Sequence, residues 1–425
     1  MFESGKRKGS KLGGFPTLGT VQTSTFATGG GGGASSALAF LRKFHLAPVN
    51  WVLVFAVAGL VTIGLITVYS ATLNNESYSF TRQLMGVGLG ALLMIAIWQF
   101  DYRILGDMTY LVLAINVVLI LMPLVPGLGA QINGSHSWVR LPIIGLQVQP
   151  SEAAKITYIL MAASLVARYN GLLDDPFEYL KALVILVIPF LCIMLQPDLG
   201  TGLIYLVIAA MALLMGGARA RFLLLTVLAG VVLILLVLGV DELTKYKDAT
   251  GEWEYHILKA YQRQRLIVFL NPEGDTSASG YNLRQAQIAI GSGGLTGKGL
   301  TQGTQASLNF LPEAPTDFIF CILSEEGGFV AAMVLLAFYI FLIIICIRIA
   351  KNASDLFGML IVMCTVGMWL FQILENIGMT LGLMPITGIP LPFMSFGSSF
   401  MVVNFCMLGF IGSVWSHSTA LTQRS

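Results

Sequence analysis

The chain has 425 residues, of which 56% are hydrophobic and only 11% charged, with a mean hydropathy of +0.80 and a formal net charge of +2. A soluble domain carries about 25% charged residues, so an ordinary globular enzyme is excluded. The net charge says nothing about nucleic acid, but the sequence has no basic, aromatic-interleaved patch of the kind that binds it. The five cysteines, Cys192, Cys321, Cys346, Cys364 and Cys406, lie in apolar runs without a CxxC pair, and the four histidines are scattered. They read as helix packing rather than disulfides or metal ligands.

In chain order, residues 1–48 are rich in Gly, Ser and Thr, with five consecutive glycines at Gly29–Gly33. This composition predicts a disordered tail. It is not an ordinary signal peptide, because the first apolar run begins only near Trp51. From there about ten apolar runs recur, near 50–71, 82–99, 104–124, 152–169, 179–196, 200–216, 220–240, 317–348, 355–381 and 396–416. They predict an all-α, polytopic membrane domain over 49–416, followed by a short tail at 417–425. One connection, about 241–316, is far longer than the rest.

Charge asymmetry orients these spans. Lys6, Arg7, Lys8, Lys11, Arg42 and Lys43 precede the first run, and Arg103, Arg168, Lys181, Arg219, Arg221, Arg348, Lys351 and Arg424 fall at alternate connections or the C-terminus. The other side carries only Arg82, Arg140 and Lys155. The positive-inside rule then places both termini in the cytoplasm and the long loop outside, with segments 126–151 and 382–395. Gln131 to Gln149 mixes Trp138 and Arg140 with apolar residues, which suits a segment lying along the membrane interface. Met384–Gly397 contains Pro385, Pro390 and Pro392. Prolines at that density forbid a regular helix. Irregular backbone at membrane depth is buried in protein or lines a wet cavity, so this segment is expected to form a cavity wall.

Asp317 is the most informative position. It follows the long polar loop and opens an apolar run, and a carboxylate at the mouth of a membrane helix is costly to keep ionised. With Thr316 it could cap the next helix. Positions 317, 321, 324 and 325 would share one helical face, so Ser324 and Glu325 could instead join it in a polar site. Glu152 and Lys155 are three apart at a helix start and can pair, either as a neutralised structural pair or as a Glu–Lys site beside a phosphate. Asp198 on a short turn suits a helix cap. Arg263 and Arg265 in the long loop could grip a pyrophosphate, or be solvated loop charge. The loop Gly291–Gly299, which includes Lys298, could bring backbone N–H groups up to a phosphate. It is not a Walker A loop, because Ser292 and Gly299 occupy positions that need Gly and Ser or Thr. No Ser-His-Asp arrangement is present either. Together these residues suggest chemistry on an anionic substrate at a membrane surface.

Several segments resemble, in order, the SEDS family (shape, elongation, division and sporulation): Gln149–Lys155 (QPSEAAK), Gln196–Gly202 (QPDLGTG), Gly280–Gly294, Phe310–Phe320 and Thr387–Phe393 (TGIPLPF). The last is closer to the elongation members than to the division members. The resemblance spans about 50–416. It implies a cell-membrane peptidoglycan glycosyltransferase that polymerises lipid II. Its implied partners are a class B penicillin-binding protein, which supplies the transpeptidase, and other elongation-machinery membrane proteins. The family's catalytic Asp falls on Asp317, and its important Glu and Lys fall on Glu152 and Lys155. Arg263, Arg265, Glu325 and Lys298 are supporting candidates, and a divalent cation could share the charge of the leaving pyrophosphate. Two departures stand out. Pro315 replaces the family's usual His before Thr-Asp, and Gly327-Gly328 replaces Leu-Gly after Glu325-Glu326, which should loosen the helix below Asp317. A lipid flippase and a non-catalytic transpeptidase scaffold are the alternative readings.

Overall fold

The computed structural model describes residues 47–73, 75, 77–125, 129–132, 135–140, 147–196, 198–247, 253–254, 278–308, 310–311 and 313–422. The tail over 1–46, Arg263 and Arg265 lie outside the described residues. Each predicted run forms a helix: α1 (Trp51–Thr72), α2 (Phe80–Gln99), α3 (Thr109–Leu121), α4 (Pro150–Ala167), α5 (Pro176–Met194), α6 (Leu199–Met215) and α7 (Ala220–Leu243). After the long connection come α8 (Ala278–Ser292), the single turn α9 (Thr304–Ser307), α10 (Ile319–Lys351), α11 (Leu356–Thr380) and α12 (Ser398–Thr422). Among the described residues, seven helices are long and apolar enough to cross a membrane: α1, α2, α5, α7, α10, α11 and α12. The shorter α3 and α6 are also apolar, and α4 carries the Glu152–Lys155 charges near its start.

Helix ends are set locally. Side-chain oxygens of Asn50, Asp175, Asp198 and Asp355 accept from backbone N–H groups in the first turns of α1, α5, α6 and α11, satisfying donors with no intrahelical partner. Asp198 is therefore the cap its turn position predicts. The centre of the bundle is α4, α11 and α12. In α11 and α12 the apolar stretches are 72% and 78% buried, against 0% for α7. Polar residues tie the interior together. Asn116 donates to Ala154 O at 2.6 Å, and Trp369 Nε1 donates to Asn404 Oδ1 at 2.7 Å.

In the region expected along the interface, the described residues form a small antiparallel sheet: β1 (Gly129–Ile132), β2 (Ser135–Arg140) and β3 (Gln147–Val148), in the order β1-β2-β3. Gly129 pairs with Val139, which pairs with Val148 on its other side. An antiparallel ladder satisfies backbone groups that a single extended segment would leave to solvent. A second hairpin, β4 (Tyr246–Lys247) with β5 (Trp253–Glu254), follows α7.

Helix α10 is broken at Gly328, whose φ 65° and ψ −164° lie in a region essentially restricted to glycine. A Cβ there would stand 2.3 Å from Gly297 N. The 293–299 loop lies against the break and exchanges backbone hydrogen bonds with it. Lys298 N and Gly299 N donate to Glu325 O and Glu326 O, and Phe329 N and Val330 N donate to Gly294 O and Leu295 O, all at 2.9–3.1 Å. This corrects the expected phosphate cradle: the loop's Lys298 and Gly299 N–H groups are engaged by the broken helix. The weak helix predicted from Gly327-Gly328 is present as that break.

Candidate functional site

Asp317 sits in a tight turn before α10. The N–H groups of Thr316, Asp317 and Phe318 all point to Glu313 O, at 3.1–3.3 Å. Phe318 occupies the capping position of α10 and makes no side-chain cap bond, so Asp317 stands one residue outside the cap that its sequence position suggested. A shared helical face with Ser324 and Glu325 does not form, because residue 317 precedes the helix.

The turn is held by the proline-rich segment 385–397, whose centre is buried in protein, one of the two settings open to irregular backbone in a membrane. Leu391, Phe393, Met394 and Ser395 are fully buried. The segment's backbone is satisfied one group at a time. Asn376 Nδ2 donates to Ile389 O at 2.8 Å, Tyr339 OH to Pro392 O at 2.6 Å and Gln83 Nε2 to Ser395 O at 3.2 Å. Gly397 N donates to Gln83 Oε1 at 2.9 Å, and Phe396 N reaches across to Pro315 O at 2.8 Å. Phe393 adopts a left-handed φ of 61°, a strained conformation for an aromatic residue. Its ring packs between Trp369 and Phe405.

Gly388, also left-handed at φ 75°, packs against the carboxylate: a Cβ there would lie 3.0 Å from Asp317 Oδ2. Its neighbour Thr387 donates its hydroxyl to Glu375 of α11. Thr387 O in turn lies against Gly200 in the first turn of α6. On the other side, Tyr78 packs edge-on against Phe396, ring centroids 5.1 Å apart. Burial, then the Glu313 carboxylate, raises the Tyr78 phenol above its ordinary pKa, and Asp317 adds in the same direction. Tyr78 therefore stays a neutral phenol beside the Asp317 turn.

Glu152 and Lys155 form a buried ion pair in the first turns of α4, Nζ to Oε1 2.6 Å, with 1% of the lysine side chain exposed. Glu152 Oε2 is buried and has no hydrogen-bond partner among the described residues. The Lys155 ammonium lies 5.6 Å from the Phe400 ring centre, in the first turn of α12. This pair and Asp317 therefore abut the two ends of one stretch, 388–400. Glu325 and Lys298 lie elsewhere. Glu325 is fully buried, pairs with Lys298 Nζ at 2.6 Å, and accepts from Thr304 N, Thr304 Oγ1 and Gln305 N at 2.7–3.2 Å. The two side chains fasten the end of the long loop to α10. Glu326 accepts from Ser70 of α1. Among the described residues, no group of three or more His, Cys, Asp or Glu could hold a metal ion.

Sequence reasoning missed Asn376 and Gly388 as neighbours of Asp317, and the Thr387–Glu375 bond beside Gly388. One signal was available. Gln372, Glu375, Asn376 and Thr380 recur at i, i+3, i+4 and i+8 inside an apolar run, and polar residues in a membrane helix usually face a bundle interior or a site.

A bundle of apolar helices around a carboxylate at the mouth of a broken helix defines a polytopic membrane protein with an embedded polar site. The chain belongs to the FtsW/RodA/SpoVE family of cell cycle proteins, whose profile matches residues 50–420; this is the SEDS family, and the chain is RodA-like. It is 34% identical to the peptidoglycan glycosyltransferase MrdB of Escherichia coli K12, over 90% of this chain and 97% of that one. It is 31% identical to the peptidoglycan glycosyltransferase RodA of Treponema pallidum, over 88% and 99%. Among solved structures, a chain from a peptidoglycan synthase complex, described as coordinating polymerization and crosslinking, superposes with a TM-score of 0.71 at 27% identity, over 87% of this chain and 98% of that one. The Thermus thermophilus rod shape determining protein RodA superposes at 0.61 with 26% identity, over 87% and 96%.

Proposed function

We infer that this chain is a peptidoglycan glycosyltransferase that polymerises lipid II into glycan strands during cell-wall elongation. The observation that carries the activity is similarity along almost the whole length of curated glycosyltransferases, 97% of one and 99% of another.

In the proposed mechanism, two lipid-linked disaccharides meet at the outer membrane surface. Asp317 takes the proton from the acceptor's sugar 4-hydroxyl. The freed oxygen pair forms the new bond to the donor's anomeric carbon while the bond to the lipid pyrophosphate breaks. A single displacement inverts that carbon, so an α-linked donor yields a β-linked strand. The position of Asp317 outside the α10 cap and against Gly388 supports this role. Lys155, held by Glu152, is the proposed cation facing the leaving group, with Arg263 and Arg265 in the long loop as further candidates. A divalent cation belongs to the proposal only as a companion of the substrate's pyrophosphate, and no step depends on it. The partner is a membrane transpeptidase of the class B penicillin-binding type, a reading supported by the likeness to a chain of a synthase complex. Both termini are placed in the cytoplasm by the positive-inside rule.

Asp317→Asn tests the mechanism. Asn is nearly isosteric but cannot accept the proton. The variant should be expressed and bound to its partner yet lose roughly 10²–10⁴-fold in polymerisation of purified lipid II. Near-normal polymer from this variant would move the base elsewhere. Polymer from neither variant nor wild type in the reconstituted pair would favour a flippase or scaffold.

A further inference from the structure

We propose that Asn376 is a positioning residue for Asp317, an inference that rests on the general-base reading above. Its carboxamide nitrogen has two hydrogens, and two acceptors lie within reach: Asp317 O and Ile389 O, each at 2.8 Å. Those carbonyls belong to different segments, the turn that carries the carboxylate and the proline-rich segment. Neither segment is helix or strand; Phe396 N donating to Pro315 O joins them at one point, and Asn376 joins them at the residues nearest the carboxylate. Asn376 is fully buried on α11, and its packing there makes it a rigid post between the two.

The post sets the approach of Asp317 to Gly388. Ile389 is the residue after Gly388, and the left-handed Gly388 leaves room for Asp317 Oδ2 where a Cβ would stand 3.0 Å away. Moving the 389 carbonyl relative to the 317 carbonyl therefore moves the carboxylate against Gly388. A general base must reach its proton within hydrogen-bonding distance, and a displacement of about 1 Å can cost on the order of 10²-fold. Asn is suited to the task. Asp, once ionised, would donate to neither carbonyl and would place a like charge near Asp317.

The test uses the full chain with its transpeptidase partner and lipid II, comparing wild type, Asp317→Asn, Asn376→Ala, Asn376→Gln and Asn376→Asp for kcat, KM and thermal unfolding. Asn376→Ala should lower kcat about 10–100-fold with KM within about twofold. Asn376→Gln keeps both donors but shifts them by one methylene, and should fold while still losing kcat. In Asn376→Asp the buried carboxyl facing two carbonyls keeps its proton, so it donates to only one of them and should also lose kcat. Wild-type kcat per folded molecule in Asn376→Gln, or a loss in Asn376→Ala carried by KM rather than kcat, would overturn the proposal even if the melting temperature fell. Full activity of Asp317→Asn would instead remove the general-base reading beneath it.

Discussion

At the scale of single residues, the ion pair in α4 separates structure from chemistry. Removing one partner of a buried pair leaves an uncompensated charge, whereas replacing both is often neutral for stability. Glu152→Gln and Lys155→Met should each lower the melting temperature more than the double variant does. All three should still lose most polymerisation of lipid II if Lys155 is the cation proposed to face the leaving group. A double variant that folds and polymerises normally would reduce the pair to a structural one. The pairing itself was legible from the three-residue spacing. That Lys155 is held beneath Phe400 was not, because α4 and α12 are far apart in sequence.

At the scale of elements, the break in α10 is a designed junction rather than a loose helix. Gly328→Ala forces a Cβ into a glycine-only conformation, a strain of about 1–3 kcal/mol, and drives it toward Gly297 N. The variant should unfold at lower temperature and make the 293–299 loop more sensitive to protease, with a smaller loss in any enzyme that remains folded. The Lys298–Glu325 bond belongs to the same junction. Lys298→Met should destabilise, and adding Glu325→Gln should restore part of that stability, read by thermal unfolding of the purified chain. If Lys298 instead binds substrate, Lys298→Met will raise KM for lipid II without a change in melting. The glycines were legible in the sequence as a loop. Their partners were not, since a run of N–H groups suits a phosphate as well as helix carbonyls.

At the scale of the whole molecule, the charge pattern makes a prediction about sidedness. Tyr281 is exposed at the start of α8, on the long connection assigned to the outside. Tyr281→Cys in an otherwise cysteine-free chain should react with an impermeant thiol reagent in intact spheroplasts. Labelling only after permeabilisation would reverse the orientation and place Asp317 on the wrong side for an extracellular polymer.

The sequence by itself determined the helical spans, the Asp198 cap, the buried proline-rich segment, the family and the identity of its candidate carboxylate. These follow from local quantities: runs of apolar residues long enough for a bilayer, turn chemistry and ordered motifs. Only the tertiary structure decided which groups surround Asp317. Asn376, Gly388 and Tyr78 meet it from three separate segments, and the Asp317 turn is held through backbone carbonyls rather than side-chain pattern. Glu325, read as sharing its face, turned to Lys298 once the helix began at Ile319 rather than at Asp317. The strands at 129–132, 135–140 and 147–148 form a sheet because antiparallel pairing satisfies their backbone groups, a choice invisible in a stretch without strict alternation.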